Sequence, residues 1–250
     1  MLNHELIGSE HMEKTVAVLF PIALEAIPFA SAAGAREPTP IKTCQTISQP
    51  GSYELANNLT SNGNNCLVIT ADFVTIDLAG FSITDTRPEV PNPTTAIAAG
   101  DNTRGIAVRN GSISSFGSGV DLAGDGSLVE GLRVICGIGG SGIGAKGIVK
   151  SNTVEGCGGP SFDRGGPGIF ATGIVTGNFV TGSVGGMSIG RGSTVTGNTV
   201  TDTLFTAGIS VGCPSNVSDN TVVNINIFQG MKNLIRLDGE GCNNTNNVAP

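Results

Sequence analysis

The sequence predicts an all-β chain: a single-stranded right-handed parallel β-helix, a solenoid of about eight coils. Composition, an internal repeat and columns of β-branched residues predict it. Hydrophobic residues make up 39% and charged residues 13%, with 38 glycines in 250 residues. Disordered chains have the opposite balance, and no Gly-X-Y period marks a collagen. Beyond residue 40, valine, isoleucine and threonine are frequent and long helix-forming runs are scarce. That favours strands joined by glycine and asparagine turns.

The repeat is clearest around Asn198, in Gly192-Ser-Thr-Val-Thr-Gly-Asn-Thr-Val-Thr-Asp202. With Asn198 in one column, Asn152, Asn178, Asn220 and Asn247 share it, and degenerate copies place Phe81, Gly111 and Leu132 there. The intervals run from 20 to 30 residues, as coils with intruding loops would. Three positions earlier stand Leu78, Val108, Val129, Val149, Val175, Val195 and Val217, then Asn244. Two positions later stand Ile83, Ile113, Val134, Val154, Val180, Val200 and Val222. A solenoid buries such columns against the same residues one coil above and below. The asparagine column suits a turn with left-handed backbone angles, and stacked asparagines also form a hydrogen-bonded ladder. A further strand opens each later coil at Gly142-Ile143, Gly168-Ile169, Gly186-Met-Ser-Ile189, Gly208-Ile-Ser-Val211 and Leu234-Ile-Arg-Leu237. Each coil therefore has three strands.

In chain order, residues 1–35 read as a signal peptide or leader. Lys14 precedes a mostly apolar stretch over residues 15–24, and Ala30-Ser-Ala32 and Ala33-Gly-Ala35 fit a small-x-small cleavage pattern. Residues 36–68 read as an N-terminal cap and 69–250 as the β-helix. The six cysteines, Cys44, Cys66, Cys136, Cys157, Cys213 and Cys242, are an even set in a secreted or periplasmic context, which implies disulfides.

The stretch CQTISQPGSYELANNLTSNGNNCLVITADFVTIDLAGFSI, followed by GIAVRNGSI and the GNTV coils, resembles secreted bacterial right-handed parallel β-helix repeat proteins of the pectate-lyase-like superfamily. The resemblance covers residues 40–250 and implies a fold. The superfamily holds lyases, polygalacturonases and epimerases beside non-enzymatic adhesins and tailspikes, so the fold does not select an activity. Stacked coils lie about 4.8 Å apart, within disulfide reach. Cys136 with Cys157 and Cys213 with Cys242 fall one coil apart. Cys44 would then pair with Cys66 and close the N-terminal cap.

Chemistry is harder to find. Both histidines, His4 and His11, precede the expected cleavage point, which removes a Ser-His-Asp triad and a histidine-bearing zinc site. Gly137-Ile-Gly-Gly-Ser-Gly142 matches a dinucleotide fingerprint but lacks the helix that must follow. Gly144 stands where a calcium nonapeptide needs aspartate. No metal and no cofactor is expected. The polygalacturonase NTD, DD, GHG and RIK motifs and the epimerase DPHE motif are missing. A net charge of −7 and the lack of a basic stripe argue against nucleic acid. No apolar run is long enough for a membrane span.

Arg109, Glu130 and Lys150 fall in one column and read as a surface ion-pair ladder. A Thr-x-Thr ice-binding array fits Thr194-Val-Thr196 but does not persist through the coils. Inserted loops carry function on rigid scaffolds. Residues 84–103 and 156–168 interrupt the period and offer Asp85, Arg87, Asp101, Phe162, Asp163 and Arg164 as a ligand-binding set. The expected function is a secreted scaffold that binds a surface or extracellular polysaccharide without catalysis. The rivals are a polysaccharide lyase or glycoside hydrolase with a non-standard acidic site, and a structural cell-envelope protein.

Overall fold

The computed structural model describes residues 37–87, 94–137, 139–158, 165–203, 207–223, 225 and 234–249. The leader read from residues 1–35 lies outside them. From Glu37 onward the chain is a parallel β-helix of about eight turns, built from 22 strands and, among the described residues, no helix. Every strand pairing is parallel, as the repeat requires: Met187 lies opposite Ile209, Val195 opposite Val217 and Val200 opposite Val222.

Each turn lays one strand on each of three faces. In the most regular turn, Gly185–Ile189 lies on the first face, Thr194–Thr196 on the second and Thr199–Thr201 on the third. The chain then returns to the first face as Ile209–Gly212. In the middle of the solenoid the corners soften, and Ser118–Ile135 passes through all three faces as one strand of 18 residues. Alternation points every second side chain inward. The burial of Thr194–Thr196 therefore switches from exposed to buried and back, and Val195 is fully buried.

The inward columns match the sequence register with one correction. On the third face Ile83, Ile113, Val134, Val154, Val180, Val200 and Val222 stack as expected. On the second face the residue opposite Val108 is Ile76, not Leu78. The next turn holds two left-handed residues, Ala79 at φ 48° and Gly80 at φ 82°, which lengthen it and shift the register. Leu78 instead fills the corner against Gly111, where a Cβ would collide with it.

At that corner the later turns carry the asparagine ladder. Asn152, Asn178, Asn198 and Asn220 are buried. The Asn178 amide donates to Asn198 Oδ1 at 3.0 Å and to the Val149 carbonyl at 2.9 Å. Its own Oδ1 accepts from the Asn152 backbone N–H and side-chain amide, each at 3.0 Å. The left-handed residue is not the ladder asparagine but the one before it: Ser151, Gly177, Gly197, Asp219 and Asn246 have φ from 54° to 64°. The asparagine is kept for its buried amide, and its neighbour makes the bend.

Residues 36–68, read as a cap, already pair in solenoid register: Thr46 with Val68, Tyr53 with Ile76 and Leu59 with Ile83. The disulfides are Cys44–Cys66, Cys136–Cys157 and Cys213–Cys242, with Cα separations of 4.4, 4.8 and 5.1 Å. Each ties a turn to its neighbour: Cys136–Cys157 and Cys213–Cys242 as the column spacing implies, and Cys44–Cys66 as the remaining pair. Three such bridges fit an oxidising compartment.

Candidate functional site

The corner between the second and third faces is short in every turn. The corner between the third face and the first is not. Thr153–Glu155 ends the third face and Pro167–Thr176 resumes the first. Thr199–Thr201 is followed by Ile209–Gly212, and Thr221–Val223 by Ile235–Asp238. Ser82–Asp85 is likewise followed by Thr95–Ala99. Of the two insertions singled out in the sequence, that over residues 84–103 is corrected: its residues 95–99 form a solenoid strand paired on both sides. Only the chain before Thr95, like that between Glu155 and Pro167, falls at this corner.

Beside it, the first face carries an outward column. Asp121, Gly144, Phe170, Ser188, Ser210 and Arg236 are strand neighbours in that order. Phe170 is 58% exposed. It lines a groove of about 440 Å³ with Ser188, Ser210, Arg236, Val184, Ala207 and the backbone of Gly165, Gly166, Gly185 and Gly186. A Cβ on Gly186 would run into the Gly208 carbonyl, so glycine lets adjacent turns close up under the groove.

At one end of the groove Arg236 belongs to the lining, and Asp238, two residues on along the same outward side of Ile235–Asp238, stands just outside it. Arg236 Nη2 donates to Asp238 Oδ2 at 2.9 Å and Arg236 Nε lies 2.9 Å from Asp238 Oδ1. Ser210 Oγ donates to Asp238 Oδ2 at 3.0 Å. Hydrogen bonds from Arg236 and Ser210 hold the Asp238 carboxyl below its usual range. Beyond the other end, Asp121 sits beside Gly144. Its side chain reaches solvent, yet the protein packed around its base raises its pKa by desolvation.

The residues expected from the sequence divide. Asp85 is 3% exposed. Its Oδ1 accepts the backbone N–H groups of Gly63 at 2.9 Å and Arg87 at 3.1 Å, and its Oδ2 accepts the Thr94 hydroxyl at 3.2 Å. It anchors the two ends of its loop. Arg87 is exposed and its guanidinium lies over Gly63. Asp101 is at the other end of Thr95–Ala99, in a polar recess with Asp72, Asn102, Thr103, Arg104 and Asp125. The structure therefore joins Asp85 with Arg87 and leaves Asp101 apart. Phe162, Asp163 and Arg164 lie outside the described residues, ending immediately before Gly165 of the groove. No group of three or more metal-ligating side chains forms among the described residues.

The charged column is in register, with Glu130 between Arg109 and Lys150. Lys150 Nζ meets Glu130 Oε1 at 2.9 Å, while Arg109 pairs with Asp77 at 2.9 Å. Phe170, Ser188, Ser210 and Arg236 were readable as one column, because each follows an inward residue of the first strand: Ile169, Met187, Ile209 and Ile235. The inward residues carry the fold signal, and the positions between them carry the groove. No protein-family model, curated protein or solved structure matches the chain.

Proposed function

We propose that this protein is a secreted β-helix scaffold that binds an extracellular or surface polysaccharide in the first-face groove without turning it over. The observation that carries this reading is Phe170, an aromatic ring standing 58% exposed in a groove on a rigid sheet. Burying such a ring is ordinarily favourable, so an exposed one in a concavity offers a ligand an apolar face to cover. Serine hydroxyls along the groove and the Arg236–Asp238 pair at its far end supply donors and acceptors for a polyhydroxylated ligand. The three disulfides agree with an extracellular or periplasmic site of action.

One observation favours the rival lyase or hydrolase. Asp121, with its raised pKa, is suited to hold a proton. Glycoside hydrolysis needs two carboxyl groups about 5–9.5 Å apart, and the strand neighbours of Asp121 in its column are Ala98 and Gly144. Incubating the protein with a polysaccharide panel separates the readings. Retention on immobilised glycan without new reducing or unsaturated ends is expected. Release of either kind of end, abolished in Asp121→Asn, would replace the binding reading with the catalytic one.

A further inference from the structure

The chemistry of the groove specifies the charge of what it binds. Among the described residues its one lining cation, Arg236, already has its counter-ion: two guanidinium nitrogens face Asp238 at 2.9 Å, and Ser210 adds a donor to the same carboxylate. Ser188, Ser210 and the ring of Phe170 add no charge. A cancelled pair has little field left to attract an anionic polymer. Arg191 stands against Gly212, outside the groove lining.

The pair is suited to something else. A guanidinium edge beside a carboxylate offers a donor and an acceptor side by side, which matches a vicinal diol: one sugar hydroxyl donates to Asp238 while its neighbour accepts from Arg236. Phe170 offers its face to the C–H side of a sugar ring. Phe170 and Arg236 are three strand steps apart, Phe170 to Ser188 to Ser210 to Arg236, or about 14 Å at the parallel strand spacing. A single ring does not span that distance, but a short run of rings along the solenoid axis does.

Resting on the polysaccharide-binding reading, we propose that the groove selects a neutral oligosaccharide lying along the solenoid axis, stacked on Phe170 at one end and held through a vicinal diol by Arg236 and Asp238 at the other.

The test measures binding of the purified protein to laminarin, glucomannan and xyloglucan against polygalacturonate and alginate, by calorimetry at low salt. At least one neutral polymer is expected to bind at least tenfold more tightly than either polyuronate (about 1.4 kcal/mol per factor of ten). Phe170→Ala should weaken that binding about tenfold, with an unchanged circular dichroism spectrum and melting temperature. Asp238→Asn frees the Arg236 charge, so it should lose neutral-glycan affinity and gain polyuronate affinity. Equal or tighter wild-type binding of a polyuronate overturns the neutral selectivity and leaves polysaccharide binding standing. Binding of neither class overturns both. Unchanged neutral-glycan affinity in Phe170→Ala, or no polyuronate gain in Asp238→Asn, also overturns the proposal.

Discussion

Two corners of the same solenoid turn are built on opposite principles. The corner between the second and third faces is closed by a buried amide in each of the later turns, from Asn152 to Asn220, with the half-buried Asn247 ending the ladder. Each amide donates to a backbone carbonyl and accepts from a backbone N–H of the preceding turn, and from Asn152 to Asn198 it also donates to the asparagine of the next. Such a network leaves no room for an extra residue, because an insertion would strand several buried polar groups together. Among the described residues the corner between the third and first faces has no such ladder. There Thr203 Oγ1 is buried without a hydrogen-bond partner among the described residues, and the stretches of chain from Asp85 to Thr95 and from Glu155 to Pro167 are longer than any at the closed corner. The closed corner fixes the register; the open one admits variation, and the groove lies beside it.

The contrast is broken most strongly at the ladder. Asn198→Ala removes the acceptor of the Asn178 backbone N–H and side-chain amide and the donor to the Val175 carbonyl. With each stranded buried group costing about 1–3 kcal/mol, a loss of about 4 kcal/mol is expected in urea unfolding. A loss below about 1 kcal/mol would mean that water replaces the ladder and that the corner is not closed by it. Next in size is the Cys136–Cys157 bridge, which spans 21 residues across the open corner. Replacing both cysteines with serine should cost about 3 kcal/mol, read from the same titration. A null result would show that this part of the open corner is held without the bridge. Smaller again is Glu130→Gln, which frees Lys150 on the outer second face. It should change stability by less than about 1 kcal/mol. A larger loss would make that face, and not only the ladder, a determinant of register.

Much of this is legible in the sequence, for a physical reason. Columns of valine and isoleucine recur because each is buried against the next, so the inward register shows itself in one-letter code. It failed at Leu78, where the left-handed pair Ala79 and Gly80 lengthens the turn. Turn length is set by backbone angles that alanine rarely adopts, so the sequence gives no warning there. The ladder asparagines were visible, but the left-handed angle belongs to the residue before each one. The groove was harder. Phe170 belongs to a Gly-Ile-Phe-Ala stretch in which every residue suits a core. Only the strand phase set by Ile169 turns Phe170 outward. Asp85 misled in the opposite direction: an aspartate in a loop reads as exposed, whereas three donors hold this one inside.

The smallest effect tests whether the first face carries an energetic cost that the closed corner does not. Asp121 lies in the column that continues beyond the groove, and desolvation raises its pKa above the ordinary 3.8. Its folded form therefore keeps a proton to higher pH than its unfolded form. Between those two values the folded chain binds more protons, so stability contributed by this group falls as pH rises through the window. Below about pH 3.8 the carboxyl is largely protonated in both states and the penalty vanishes. Asp121→Asn removes the titration. The variant should match the wild type in acid and gain on it as pH rises from about 3 to about 7. The gain should stay below about 0.5 kcal/mol, because the side chain reaches solvent and its field is screened. Parallel pH profiles for the two proteins would mean that Asp121 is as well solvated as any surface carboxylate. The first face would then differ from the closed corner in shape alone, with no buried cost to recover on binding.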